Sequence, residues 1–271
     1  MGKLDGKVAF ITGAARGQGR SHAVRLAQEG ADVIGVDLCA QIATVPYPMA
    51  TPEDLEQTVK EVEAEGRRIF AAQADVRDPA ALRQAFEQGT TQIGPVDIVL
   101  ANAGIGPSSP EPTDDDWHDV IAVNLTGVYN TVRVAIPSMI ERGQGGAIVL
   151  TSSTGGLIGV ASNASGMLGY TAAKHGVIGL MRSWANYLAP HNIRVNSVAP
   201  TGVRTPMTVN DHLAKLFERD PGVAQGMQNA LPVDMVEAID ISNAIVYLVS
   251  DDGRYVTGTT LAVDAGMLNR R

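Results

Sequence analysis

The chain reads VAFITGAARGQGR from Val8 to Arg20. The first five residues are a continuous apolar run, which is typical of a strand covered by helices on both faces of a sheet. Gly13, Gly17 and Gly19 follow at the point where such a strand would turn into a helix. Glycines there let the backbone approach a diphosphate, which then faces the N-terminus of the helix. The stretch predicts a strand, a turn and a helix that suit a dinucleotide, although a turn without a ligand has the same sequence signature.

Apolar runs and helical stretches alternate along the rest of the chain. Strands are predicted at Val8–Thr12, Asp32–Asp37, Ile69–Ala74, Ile98–Asn102, Ala147–Ser152, Ile193–Ala199 and Thr260–Val263. Helices are predicted at Gln18–Glu29, Glu53–Glu65, Pro79–Thr91, Thr113–Arg142 and Tyr170–Leu188, with a short one at His212–Arg219. Repeated strand–helix–strand units imply a parallel sheet. We therefore expect a single α/β domain over residues 1–271, a Rossmann-type doubly wound parallel sheet of about seven strands with helices on both faces.

Charge and composition argue against several classes of protein. The net charge is −8 and no basic stripe is present, so no nucleic-acid partner is expected. No apolar run reaches the roughly 18 residues of a membrane span, and the N-terminus lacks the apolar region of a signal peptide. We expect no membrane association and a cytoplasmic location. The five histidines show no metal-ligand spacing, so no metal is expected. The single cysteine, Cys39, is interpreted as a small, mostly apolar residue rather than a reactive thiol.

An acidic residue, Asp37, ends the second predicted strand. A carboxylate in that place accepts hydrogen bonds from the ribose hydroxyls of an adenosine and would repel a 2′-phosphate. Arg16 weakly favours the opposite choice, because a guanidinium could meet such a phosphate. The direct position of Asp37 favours NAD over NADP; the alternative is a solvated acid at a strand end. Two later strands end in Asp75-Val76 and Asn102-Ala103-Gly104, at the edge where the crevice of a doubly wound sheet opens.

Tyr170 and Lys174 lie four residues apart on a predicted helix and therefore share one face. A free tyrosine has a pKa of about 10, too high for a base at neutral pH. A nearby ammonium group and a positively charged nicotinamide would favour the phenolate. Tyr170 could then take the proton of an alcohol while a hydride leaves its carbon. Taken alone, such a pair is common on helix surfaces.

The chain resembles the short-chain dehydrogenase/reductase family over essentially its full length. The matching motifs, in the family's order, are Thr12–Gly19, Asp75, Asn102-Ala103-Gly104, Asn124, Ser152-Ser153, Tyr170 with Lys174, and Pro200–Thr205. The resemblance implies that a serine, assigned by the family pattern to Ser153, polarises the substrate oxygen and that Tyr170 is the acid and base. It also implies that Lys174 binds the nicotinamide ribose and lowers the tyrosine pKa. Asn124 would hold a water of the proton relay.

The resemblance further implies a set of cofactor contacts. They are Gly13, Arg16, Gly17, Gln18, Gly19, Asp37, Leu38, Asp75, Val76, Asn102, Ala103, Gly104, Tyr170, Lys174, Pro200, Val203, Thr205 and Met207. Two departures from the family pattern stand out. Thr201 takes the place of the glycine that usually follows Pro200. Ser153 and Tyr170 are also farther apart than usual, and we expect the extra residues, within Leu157–Leu168, to shape the substrate pocket.

An insertion of residues 38–52, with three prolines, is not general to the family. Together with Lys174-His175-Gly176-Val177, Leu180–Ala185 and Pro200–Val203, it resembles an actinobacterial subgroup that includes carveol dehydrogenases. That resemblance implies a tightly held NAD and the redox partner mycofactocin. A proline-rich loop loses little entropy on ordering, so it could cover the cofactor and slow its release. The alternative is a disordered surface insertion.

Three functions remain from the sequence. The leading one is NAD-dependent oxidation of a secondary alcohol, cyclic or terpenoid and carveol-like, to a ketone. The second is reduction of a 3-oxoacyl thioester, against which Asp37 argues because such reductases usually use NADPH. The third is a dinucleotide-binding sensor or scaffold, which should have lost a catalytic residue. The loop 201–236 is expected to cover the substrate, and it carries apolar residues, Met207, Leu213, Leu216, Phe217 and Met227. A small apolar alcohol or ketone is therefore the expected substrate, and the family resemblance implies a homotetramer.

Overall fold

A seven-stranded parallel sheet forms the centre of the protein. The computed structural model describes residues 2–106, 109, 111–219 and 227–270. The strands are β1 Val8–Thr12, β2 Asp32–Asp37, β3 Ile69–Gln73, β4 Ile98–Ala101, β5 Gly146–Thr151, β6 Ile193–Pro200 and β7 Thr260–Val263. Their order is β3-β2-β1-β4-β5-β6-β7. The order reverses between β1 and β4, and at such a switch point a crevice opens at the carboxyl ends of the strands.

Helices cover both faces of this sheet. They are α1 Gly17–Gln28, α2 Pro52–Ala64, α3 Pro79–Gln92, α4 Asp114–Ile121, α5 Val128–Arg142, α6 Ser165–Leu188, α7 Asp211–Arg219 and α8 Ala238–Val249. Phe10 of β1 packs with α3, α5 and α6, whereas its neighbour Ile11 packs with α1, α2 and α8. Side chains alternate between the two faces of a strand, so each strand contributes to two apolar layers. None of the described helices is both long and apolar enough to cross a membrane.

The predicted strands are confirmed to within a residue at each end, whereas the start of one predicted helix is wrong and one helix was missed. Helix α6 begins at Ser165 and not at Tyr170, because the hydroxyl of Ser165 donates to the carbonyl of Thr113 and fixes an extra turn that its glycines do not announce. Helix α8 was not predicted. Its apolar run resembles a strand, but a capping box between Glu237 and Asp240 starts a helix that packs along α1.

The insertion 38–52 is an ordered part of the core, and not a loose surface loop. Ile42, Val45 and Tyr47 are each at most 5% exposed and pack with the apolar layer under α3. The side-chain amide of Gln41 donates to the carbonyls of Val45, Ile42 and Tyr47, which holds the loop in one shape. The hydroxyl of Thr44 donates to Asp119 on α4 at 2.7 Å. The loop is therefore attached to the rim of the crevice.

Candidate active site

The glycine-rich turn after β1 has room for glycine alone at two positions. Gly13 has a φ of +70°, and a Cβ on it would lie 2.8 Å from Cα of Ala103. A Cβ on Gly19 would lie 1.8 Å from the carbonyl oxygen of Gly13. The side-chain Nδ2 of Asn102, directly after β4, donates to the carbonyl of Thr12 at 3.0 Å. The turn is therefore clamped between α1 and β4, with its backbone open to the crevice.

The side chain of Gln18 supplies a direct test of whether a ligand belongs in this crevice. Its Oε1 atom is buried and has no hydrogen-bond partner among the described residues. Gln18 lines both the long groove beside the turn and the smaller pocket at the end of the groove that holds Tyr170. Buried polar groups are normally satisfied. The unpaired oxygen therefore fits a dinucleotide that passes from the groove into the pocket.

Asp37, predicted to meet an adenosine ribose, lines the groove at the end of β2. One carboxylate oxygen accepts from the backbone N–H of Ala15 at 2.9 Å and the other from that of Cys39 at 3.2 Å. Burial raises the pKa of Asp37, and these two hydrogen bonds oppose the rise. The guanidinium of Arg16 donates to the carbonyl of Pro48 in the insertion at 2.5 Å. Arg16 is thus held by the insertion, which reinforces the preference for an unphosphorylated ribose.

Asp75 lines the groove, and Cys39 lies beside Asp37, two residues along the chain. Burial raises the pKa of the Cys39 thiol to about 12, so the thiolate that reacts is absent at neutral pH. The carboxylate of Asp75 is paired with Arg77, whose Nε lies 2.9 Å from Oδ2. Arg77 also reaches Asp119, the partner of Thr44. These ion pairs link the predicted adenine contact to the insertion.

The two adjacent serines after β5 have different surroundings. The hydroxyl of Ser152 donates to the backbone carbonyl of Lys174 at 2.9 Å and is buried. The hydroxyl of Ser153 instead accepts from the N–H of Gly155 at 3.2 Å and lines the pocket with Tyr170. Ser152 therefore joins strand to helix, whereas the Ser153 hydroxyl faces the pocket beside Tyr170. This geometry supports the choice of Ser153.

Tyr170 and Lys174 face the same pocket from the first turns of α6. The Nζ atom of Lys174 lies 5.5 Å from the centroid of the Tyr170 ring and donates to the carbonyl of Thr151 at 2.8 Å. Burial lowers the pKa of Lys174 to about 8, so the ammonium form still dominates at neutral pH. Burial raises the pKa of Tyr170, and hydrogen bonding with Ser153 lowers it. Tyr170 therefore holds its proton in this pocket unless a nearby positive charge favours the phenolate.

Asn124 lies in a π-helical turn, Ala122–Gly127, which divides the predicted long helix into α4 and α5. Its buried side chain accepts from the N–H of Ile105 at 2.8 Å and donates to the carbonyl of Ile105 at 2.9 Å. Turns of this kind are frequent at functional sites. These two hydrogen bonds fix the loop after β4. The part of Asn124 in a proton relay stays a prediction.

The sequence predicts that the insertion could cover the cofactor, but not which of its residues would make the contact. The hydroxyl of Tyr47, from the insertion, accepts from the backbone N–H of Gly106 at 2.8 Å. A Cβ on Gly106 would lie 3.0 Å from Cγ of Met207 and 3.6 Å from the Tyr47 hydroxyl. The insertion and the loop after β6 therefore meet above the segment after β4. An aromatic residue between two prolines was the available signal for Tyr47.

Every residue predicted to contact the cofactor lines the groove or the pocket. The sequence missed Ile42, Tyr47, Met49 and Ala50 of the insertion, and Thr201 and Thr208 after β6. Of the predicted apolar residues of the loop 201–236, Met207 lines both cavities, whereas Leu216 and Phe217 have side chains outside the described part. Across the described residues, no group of three His, Cys, Asp or Glu side chains could hold a metal ion.

Known proteins match this chain along its whole length. A family model described as short chain dehydrogenase matches residues 7–215. The (-)-trans-carveol dehydrogenase of Rhodococcus erythropolis is 47% identical over 98% of this chain and 99% of that protein. The crystal structure of carveol dehydrogenase from Mycobacterium avium in complex with NAD is 51% identical, with a TM-score of 0.92 and 100% of each chain covered. A 3-oxoacyl-(acyl-carrier-protein) reductase of Thermotoga maritima is 35% identical over 98% of this chain and 99% of that protein. The chain belongs to the short-chain dehydrogenase/reductase family.

Proposed function

We propose that this protein oxidises a secondary alcohol to a ketone with NAD as the hydride acceptor. One observation carries the proposal: a groove that suits a dinucleotide ends in a pocket lined together by Ser153, Tyr170 and Lys174. NAD, when bound, accepts the hydride from the alcohol carbon. Gly13, Gly17 and Gly19 would meet its diphosphate, and Asp37 its adenosine ribose. The other residues predicted to contact the cofactor line the same groove or the pocket at its end.

The protein's own residues handle the proton. The hydroxyl of Ser153 would donate to the substrate oxygen, and the Tyr170 phenolate would take the proton from that oxygen. The Lys174 ammonium would stabilise the phenolate and meet the nicotinamide ribose. In the reverse direction, ketone reduction, the protonated Tyr170 would donate its proton to the substrate oxygen. Asn124 would support the route by which the proton reaches solvent.

The two alternative functions are less well supported. The chain is more similar to the carveol dehydrogenases than to the 3-oxoacyl reductase, and the buried carboxylate of Asp37 disfavours the phosphorylated cofactor. A sensor or scaffold does not need Ser153, Tyr170 and Lys174 in one pocket. We therefore propose a small, apolar, cyclic or terpenoid alcohol as substrate. The described parts of the loop 201–236 border its pocket through Thr205, Met207 and Thr208.

A panel of secondary alcohols tests the function. Cyclic terpenoid alcohols, open-chain alcohols and a 3-hydroxyacyl thioester are each assayed with NAD and an artificial electron acceptor. The acceptor is needed because a retained cofactor would release no NADH. Turnover that is highest with cyclic alcohols supports the proposal. Turnover confined to the thioester, or a preference for NADP, would replace it with the reductase function.

Retention of NAD is proposed from the insertion. Arg16 and Pro48 close one end of the groove, and Tyr47 meets Gly106 and Met207 over its middle. A cofactor below these contacts leaves only when they open. A resident NAD must be reoxidised in place, and this is the reason to propose a separate redox partner such as mycofactocin.

Removing the Tyr47 hydroxyl should speed the loss of NAD. In Tyr47→Phe the N–H of Gly106 loses its acceptor, and an unpaired buried polar group costs about 1–3 kcal/mol, so we expect dissociation roughly tenfold faster or more. Native mass spectrometry of protein purified without added cofactor, followed by exchange with labelled NAD, measures the effect. Tyr255→Phe is the control, since Tyr255 is 88% exposed. A wild-type protein that is free of cofactor and exchanges NAD rapidly would refute retention.

A homotetramer in the cytoplasm is proposed from the family. On α5 and α6, the apolar side chains of Val128, Val132, Ile178 and Trp184 all lie in the core, at most 9% exposed. On the same helices Tyr187 is 62% exposed, which leaves an outer face for a second copy. Sedimentation of the purified protein tests the assembly.

A further inference from the structure

The buried hydroxyl of Thr201 anchors residues 227–236, the described segment in which the loop 201–236 returns to its base. This segment is called the second arm of the loop, and residues 201–208 are called the first arm. Thr201 directly follows β6 and is 8% exposed. Its Oγ1 donates to Oδ1 of Asn229 at 2.8 Å, and Asn229 is also 8% exposed. Asn229 is far from Thr201 in sequence, at the start of the described segment 227–236. A glycine at position 201 could not make this bond.

The side-chain amide of Asn229 also forms hydrogen bonds within its own segment, 227–236. Its Nδ2 donates to the carbonyl of Val233 at 2.8 Å and to that of Asp234 at 3.3 Å. These carbonyls are part of the same arm, so the amide closes a compact turn. The arm then reaches the base of the loop, where the N–H of Val236 donates to the carbonyl of Gly202 and that of Arg204 to the carbonyl of Val236. Both arms are thus joined at two levels.

The C-terminal segment, Asp264–Arg270, supports the same anchor from behind. The N–H groups of Ala230 and Leu231 both donate to the carbonyl of Ala265, at 3.0 and 2.9 Å. The sulfur of Met267 lies 3.4 Å from Oγ1 of Thr201. Residues from three separate parts of the chain therefore meet around one hydroxyl group.

This anchor lies next to the proposed chemistry. Thr201 and Thr208 line the pocket that holds Ser153 and Tyr170. Thr208 is fixed by its own hydroxyl, which donates to the carbonyl of Val203 and to that of Thr205. Residues 201–208 are thereby placed against the pocket. The hydrogen bond from Thr201 fixes residues 227–236 relative to them.

We infer that Thr201 and Asn229 are positioning residues that fix the described residues 227–236 against the end of β6, beside the substrate pocket, and that the C-terminal segment is part of this support. The inference rests on the proposed function in taking this loop to border the alcohol. Neither side chain exchanges a proton with the substrate. Their effect is on how well the pocket holds an alcohol, and not on the chemical step.

Two substitutions at one position separate the hydroxyl from the volume of the side chain. Thr201→Val keeps the shape and removes the hydroxyl, whereas Thr201→Ser keeps the hydroxyl. In Thr201→Val we expect a KM for the alcohol raised about tenfold with kcat within twofold, because an unpaired Asn229 loosens the arm. Thr201→Ser should behave as the wild type within about twofold.

Hydrogen exchange of the intact protein supplies a readout that needs no substrate. The amides of residues 227–236 should exchange about tenfold faster in Thr201→Val and at the wild-type rate in Thr201→Ser, while those of β1 stay unchanged. Equal exchange in all three proteins would overturn the anchor. A kcat loss at constant KM would also overturn it, since Thr201 would then act in the chemical step. If the alcohol panel fails but exchange responds as expected, the anchor stands and the proposed function does not.

Discussion

Replacing Tyr170 by phenylalanine should lower kcat by about 10²–10⁴-fold, the usual contribution of a positioned acid or base. The ring keeps its place beside Gly155, whose Cβ would lie 3.6 Å from Tyr170 Cε1, so the fold and cofactor binding should not change. The rate of alcohol oxidation, measured with a saturating electron acceptor, tests the prediction. Native mass spectrometry of the same sample shows whether NAD is still bound.

The wild-type pH profile provides a second test of the same residue. Burial raises the pKa of Tyr170, so below that pKa the tyrosine is mostly protonated. Alcohol oxidation needs the phenolate, and its rate should therefore rise with pH, by at most tenfold per unit. Ketone reduction needs the protonated form and should not share this rise. A Tyr170→Phe protein with the same activity and the same rising profile would show that another group is the base.

The second large effect is expected from Gly19→Ala at the nucleotide turn. The added Cβ would stand 1.8 Å from the carbonyl oxygen of Gly13 and 3.0 Å from Nδ2 of Asn102. Backbone atoms cannot yield by the necessary distance without moving α1 away from β4. We expect loss of NAD binding and a midpoint of thermal unfolding several degrees lower, which calorimetry and cofactor titration would measure.

Gly179→Ala is the matched control for that substitution. Gly179 lies within α6, and a Cβ there meets no atom within 4 Å. Alanine in a helix interior is favoured over glycine by about 0.8–1.0 kcal/mol, so this variant should be as stable as the wild type or slightly more so. Normal NAD binding in Gly19→Ala would show that the turn is not as tightly packed as the structure has it.

The fold could be predicted from the sequence because its central strands are buried on both faces. A run such as Val8–Thr12 has no other interpretation when glycines and a helix follow it. Helix α8 could not be predicted in this way. Most of its residues are apolar, so the helical period of buried and exposed positions does not show in the sequence. The start of the helix depends on Glu237 and Asp240, a capping pair that was not recognised.

The candidate site was readable only where chemistry limits the residue type. Asp37, Tyr170 and Lys174 are ionisable residues at the end of a predicted strand or on a predicted helix. Their residue types and spacing could therefore be recognised in the sequence. Tyr47 and Thr201 act through contacts with Gly106 and Asn229, residues distant in the chain. No local rule connects such pairs, and three-dimensional packing alone reveals them.

The attachment of the insertion has a consequence for protein engineering. Residues 38–52 depend on Asp119 for Thr44, on Gly106 for Tyr47 and on Arg16 for Pro48. The Gly106 donor is a backbone N–H, but the carboxylate of Asp119 and the guanidinium of Arg16 are side chains. Transplanting the loop into a relative would therefore require these two positions of the recipient to be rewritten at the same time.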